Sequence, residues 1–121
     1  SKVNDLYVKW AITAFSNKEP VIVIESEGKV RGYFVIKIDL KLSNYLGYTY
    51  GRMRSLAIDG SCREKGLGKR IFRGAICHMK KSGAEFIDSG YSTKNHVSAS
   101  LHTKEQFRTV YEEVTFHKWL N

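Results

Sequence analysis

Cysteine and proline are scarce in this sequence: Cys62, Cys77 and Pro20 are all there is of either in 121 residues. Two thiols cannot build the disulfide framework of a small secreted domain, and no C-x-x-C pair or Cys/His cluster offers a zinc site. Both cysteines are therefore expected as free thiols in a reducing cytoplasm, with no metal bound. No apolar run approaches the roughly 20 residues of a membrane-spanning helix, and no signal-peptide pattern opens the chain. A membrane partner is not expected. Acidic residues are also in the minority, twelve against twenty Lys and Arg, which gives a formal charge of +8. That surplus by itself favours an anionic partner, whether a nucleotide, a nucleic acid, an acidic protein or a membrane surface, and does not choose among them.

What is present is the pattern of one ordinary globular domain. Val3, Leu6, Tyr7, Trp10, Ala11 and Ala14 recur at helical spacing and predict a first helix from about Lys2 to Ser16, closed off by Pro20. Val21 to Glu25 is rich in branched residues and predicts a strand, with a hairpin turn at Ser26–Lys29. From Val30 the alternation of Phe34, Ile36, Ile38, Leu40 and Leu42 predicts a long half-buried strand. Ser43–Gly47 is expected as a loop, and Tyr48–Asp59 as the returning strand. A helix follows on Leu67, Ile71, Phe72, Ala75, Ile76 and Met79, finished by Lys80, Lys81 and a glycine C-cap at Gly83. Phe86–Asp88 is a short strand. Ser92–Gln106 holds a loop and a short helix with Val97 and Leu101 inward, and Phe107–Trp119 is expected as a closing strand. The crossover helix between Tyr48–Asp59 and Phe86 calls for a parallel pair within an otherwise antiparallel sheet.

The strand ending at Asp59 runs into a basic, glycine-containing turn that opens a helix near Gly66–Lys69. The first N–H groups of a helix lack backbone partners, and glycines let an anion approach the main chain. Arg63, Lys65, Lys69 and Arg70 add charge. The competing reading is a solvated basic turn leading into a packed helix. A dinucleotide fingerprint starting at Gly66 would need glycine at Ile71. A P-loop ending at Gly68-Lys69 would need glycine at Arg63 and Ser or Thr at Arg70. Neither fits.

Arg63-Glu64-Lys65-Gly66-Leu67-Gly68 resembles the R/Q-x-x-G-x-G/A motif of the GCN5-related N-acetyltransferases (GNAT). The likeness extends through Arg54–Asp59 before it. Asn95–Phe107 is similar to that family's N-x-x-A-x-x-L-Y-x-K-x-G-F segment. Two motifs in order, at the right separation, are far more specific than one. More narrowly, Leu6-Tyr7-x-x-Trp10 and Thr115–Trp119 resemble the branch that acetylates nucleotide-linked amino sugars. The resemblance implies an α+β fold: a mixed, mostly antiparallel sheet with a splayed parallel pair and helices on both faces. The family's first strand and helix have no counterpart before Lys2, and the chain starts at Ser1. The expectation is that residues 1–121 are an acetyl-CoA-binding domain from a longer or truncated protein.

The same resemblance implies acetyl-CoA as co-substrate, a small-molecule amine as acceptor, and is compatible with a homodimer. The backbone of Leu56, Ala57 and Ile58 would pair with the pantetheine arm. Arg63, Lys65, Gly66, Leu67, Gly68 and Lys69 would hold the pyrophosphate, and Asn95 would hydrogen-bond the arm; its competing reading is a helix cap or turn residue, a role it could also fill at once. The amine would attack the thioester directly. The family's tyrosine, which protonates the departing thiolate, is replaced here by His102, and histidine can also donate a proton or serve instead as base. The bland reading of His102 is a helix residue without a role. Where the family often carries a basic glutamate this strand has Arg52, Met53 and Arg54, so the general base is unassigned. Two other functions compete: a non-catalytic CoA-binding or interaction module, and, ranked low, a basic nucleic-acid-binding domain using Tyr45, Tyr48, Tyr50 and Arg52.

Overall fold

The computed structural model describes residues 20–61 and 66–120. The expected helix at Lys2–Ser16 lies outside the described residues, as do Cys62, Arg63, Glu64 and Lys65. Strand β1, Val21–Ser26, and strand β2, Lys29–Ile38, form an antiparallel hairpin from Val21↔Val35 to Ser26↔Lys29. Its two turn residues both take positive φ, Glu27 at 55° and Gly28 at 73°. That conformation twists the turn to match the flanking strands, and glycine adopts it without strain.

Strand β2 ends earlier than its alternation suggests. Helix α1 spans Leu40–Leu46, so Leu40 and Leu42 do not extend the strand and Ser43–Leu46 is not a loop. Asp39 decides this: its Oδ1 accepts the Leu42 N–H at 2.9 Å, capping the helix. A capping carboxylate offers the backbone an alternative to the sheet ladder. Gly47, left-handed at φ 79°, closes the helix. The Leu42 bond, ahead of the Arg52 guanidinium, holds the Asp39 carboxyl below the usual range. A depressed folded value means that this stability is present above the ordinary carboxylate pKa of about 3.9 and is lost as pH falls through the lower folded value. Asp39→Asn keeps the cap and removes the charge. Urea unfolding should therefore show wild type the more stable at pH 7, with the gap narrowing as pH falls below the ordinary carboxylate range.

Strand β3, Tyr50–Ile58, returns antiparallel to β2. Helix α2, Leu67–Lys81, then crosses over to strand β4, Phe86–Ser89, which pairs parallel with β3. The sheet order is β1-β2-β3-β4. Helix α2 buries Leu67, Ile71, Phe72, Ala75 and Met79 against Phe34, Ile36 and Met53 of the sheet. Each of the larger side chains, Leu67, Ile71, Phe72 and Met79, contributes about 1.5–3 kcal/mol when fully buried. Lys80 and Lys81 sit in the last turn of α2, and the chain leaves through Ser82 and the positive-φ Gly83.

Helix α3, His96–Lys104, packs beside α2. Leu101 faces the core as expected, but Val97 is 71% exposed and the buried residue is His102. The expected strand Phe107–Trp119 is absent: residues 107–120 have no regular secondary structure. Phe116, Trp119 and Leu120 stand in solvent. Alternation gives a segment an apolar face but not a partner, and a strand exists only when its hydrogen bonds find another strand. No helix among the described residues is long and apolar enough to cross a membrane.

Candidate active site at the fork of β3 and β4

The parallel pairing of β3 and β4 runs from Tyr50↔Phe86 to Met53↔Ser89 and stops there. On the other edge of β3, Val35 opposes Ser55 while Ile36 opposes Met53, leaving Arg54 as an extra residue. A bulge of this kind bends its strand. Beyond it Leu56, Ala57 and Ile58 stay paired with β2, whereas β4 no longer follows. The fork leaves the other edge of Leu56–Ile58 without a β4 partner.

Asp59 sets the path out of β3. Its Oδ1 accepts the Ser61 hydroxyl at 2.8 Å and the Ser61 N–H at 3.0 Å, and its Oδ2 accepts from Arg31 at 3.1 Å. These contacts, the Ser61 hydroxyl first, hold its carboxyl below the usual range. Helix α2 then opens at Gly66, φ 72°. Among the described residues a side chain at Gly66 would meet nothing within 4 Å, and no acidic residue occupies the first turn of α2. Lys69 and Arg70 are exposed beside the helix start. Gly68 lies closer in, since a Cβ there would sit 3.5 Å from Ile58 Cδ1 and 3.9 Å from Leu101 Cδ1. These residues fit a pyrophosphate at Gly66–Lys69 and an extended arm along Leu56–Ile58.

Asn95 caps α3: its Oδ1 accepts the Ser98 N–H at 3.0 Å. That leaves the NH2 group as the donor it can offer to an arm in the fork. About two turns further on, His102 is only 7% exposed. Its ring lies against Phe72 (4.9 Å), Tyr91 (4.6 Å) and Phe107 (5.3 Å between centroids). Nδ1 is 2.7 Å from the Ser98 carbonyl oxygen, and Nε2 is 2.8 Å from Ser89 Oγ. The ring thus reaches the apex of the fork, where β3 and β4 part.

An open cavity of about 680 Å³ lies beside the apex, lined by Tyr50, Arg52, Asp88, Ser89, Tyr91 and His102 among others. That is the size of a small-molecule site. Tyr50 donates to Asp88 Oδ2 at 2.5 Å, and Arg52 bridges Asp39 (3.1 Å) and Asp88 (3.7 Å). Burial, reinforced by the Asp88 bond, pushes the Tyr50 phenol up to about 12. At neutral pH that phenol is a donor and not a base. Sequence reasoning missed Asp88, Ser89 and Tyr50 as site residues. The signal was slight: with Ile87 inward, alternation puts Ser89 on the same face and Asp88 on the other.

A forked mixed sheet, with an open helix start on one side and an amine-sized cavity on the other, is the frame of an acyl-transfer domain. The chain belongs to the acetyltransferase (GNAT) family, whose profile matches residues 3–107. No curated protein matches it by sequence. Among solved structures, it is similar to a transcriptional regulator from Bacillus halodurans C-125, with TM-score 0.72 and 18% identity over 88% of this chain and 74% of that one. An aminoglycoside acetyltransferase from an uncultured soil metagenomic sample, in complex with sisomicin, gives TM-score 0.66 and 17% identity over 84% and 65%. The aminoglycoside N-acetyltransferase AAC(6')-Iy in complex with CoA gives TM-score 0.67 and 12% identity over 99% and 96%. At these identities the likeness is one of fold.

Proposed function

We propose that the protein transfers an acetyl group from acetyl-CoA directly to a primary amine of a small amino-sugar acceptor. The fork at Met53/Ser89 carries this reading, because it joins an open helix start, an unpaired strand edge and a polar cavity in one place. Acetyl-CoA supplies the activated acyl group. Gly66, Leu67, Gly68 and Lys69 would hold its pyrophosphate, together with Arg63 and Lys65 from the turn. The backbone of Leu56, Ala57 and Ile58 would align the arm, with Asn95 donating from the far side. His102 would govern the proton that the leaving sulfur needs. Asp88, Glu112 and Glu113 on the cavity wall suit a cationic acceptor. The nearby Arg54 and Arg108 are the cations that would meet the diphosphate of a nucleotide-linked amino sugar, the narrower class expected from sequence.

Gly66→Glu tests the cofactor assignment. A carboxylate at this open position repels phosphate, and a non-glycine residue is strained at φ 72°. Acetyl-CoA affinity measured by calorimetry should fall more than tenfold, over about 1.4 kcal/mol. Gly66→Ala shares the backbone strain without the charge and should lose much less. Equal affinity for wild type and Gly66→Glu would remove the pyrophosphate from this turn. A panel of aminoglycosides, nucleotide-linked amino sugars and peptide amines then identifies the acceptor by acetylated product.

A further inference from the structure

We propose that Ser89 is the catalytic group that hands a proton to the departing thiolate, with His102 acting through it as a positioning residue and proton source. The inference rests on the acetyltransferase reading and deepens it. Both ring nitrogens of His102 are already engaged, and their partners differ in kind. The Ser98 carbonyl can only accept, so Nδ1 carries a hydrogen. In the neutral ring Nε2 is therefore the acceptor, and the Ser89 hydroxyl donates to it across 2.8 Å. The ring is walled by Phe72, Tyr91 and Phe107 and cannot turn a nitrogen into the fork without breaking one of these bonds. Ser89 is half-buried, lines the cavity and is the last residue of β4 paired to β3. At the apex of the fork, the hydroxyl is a proton-bearing group bonded to His102.

The step balances as follows. The amine nitrogen forms the C–N bond to the acetyl carbon, and the C–S bond breaks with its electron pair left on sulfur. Sulfur takes the Ser89 Oγ proton. Oγ is reprotonated by Nε2–H of His102 in its imidazolium form, which leaves the neutral ring with Nδ1–H still on Ser98. The proton lost by the amine nitrogen, passed through water, restores the imidazolium. One proton leaves nitrogen and one arrives on sulfur.

The test has a spectroscopic and a kinetic arm, both on the full chain. Long-range ¹⁵N–¹H spectra of neutral His102 should show the proton on Nδ1, and Ser89→Ala should shift Nε2 while Nδ1 stays bonded. CoA should move the Nε2 resonance of wild type, desulfo-CoA should not, and Ser89→Ala should abolish the difference. In turnover, Ser89→Ala should lose roughly 10²-fold, of the order of a general-acid group, and Ser89→Thr should recover most of it. Adding His102→Phe to Ser89→Ala should cost no more than about twofold further, since members of one relay are not additive. A proton on Nε2, CoA and desulfo-CoA giving the same spectrum, or multiplicative losses in the double variant would each overturn the relay. Failure of CoA to bind in calorimetry would instead sink the acetyltransferase reading, and the relay with it. Binding with a sulfur-blind His102 sinks the relay alone.

Discussion

Phe72→Ala should cost about 3–5 kcal/mol of folding stability, the usual range for deleting a buried aromatic ring. Phe72 is fully buried and lies where three elements meet. Its ring is 6.0 Å from Phe34 of the sheet, 4.9 Å from His102 and 5.6 Å from Phe107. Removing it empties the space between α2 and the sheet and also takes away one wall of the His102 pocket. A domain of this kind has only about 5–15 kcal/mol in hand, so the loss would be a large fraction of the total. Urea unfolding should show a lower midpoint at an unchanged slope. Phe72→Leu, which keeps most of the volume, should lose much less. A loss under about 1 kcal/mol for Phe72→Ala would mean that the core collapses around the gap, and that the ring is not what holds α2 and α3 together.

The residues that made the fold legible are those whose spacing has one interpretation. Ile71, Phe72, Ala75 and Met79 can lie on one face only in a helix, and the buried face of α2 is made of them. Leu40 and Leu42 are two apart after a regular alternation, which a strand and the first turn of a helix share; the Asp39 cap, not periodicity, separates them. Val97 and Leu101 are four apart and suggested one inward face. The helix turns instead so that Leu101 and His102 face in, because a histidine whose two nitrogens both find partners can be buried without penalty. At Phe107–Trp119 the pattern was strand-like, but pairing is not written in the segment itself.

The site divides in the same way. Gly66 and Asn95 stand where local chemistry puts them, one at a left-handed helix entry and one as a cap, so each is visible in its own motif. Ser89 is a lone serine at a strand end and has no local signature. Only the register that stops β4 at Met53↔Ser89, with α3 laid behind it, gives that hydroxyl a role. Likewise, Asp88 acquires its surroundings from Tyr50 and Arg52 on the neighbouring strand. Motif-borne positions are readable one at a time; positions made by the fork are not.

His102→Phe should lower turnover by roughly 10²-fold, no more than Ser89→Ala and at the lower end of the range of general acid–base groups, while acetyl-CoA affinity stays nearly intact. Phenylalanine is close to histidine in size and suits a pocket already lined by Phe72, Tyr91 and Phe107, so packing is largely kept. What goes is the nitrogen 2.8 Å from Ser89 Oγ, and with it the supply of a proton to the apex of the fork. The groups proposed to hold the cofactor, at Gly66–Lys69 and Leu56–Ile58, are untouched, which is why kcat and not affinity should carry the effect. His102→Tyr should recover much of the loss, because a phenol with an ordinary pKa near 10 again places an O–H at the fork. Turnover is to be measured at saturating acetyl-CoA and amine, with single-turnover rates confirming that chemistry limits. Full turnover in His102→Phe would assign His102 to packing alone, and the relay through Ser89 would fall with it.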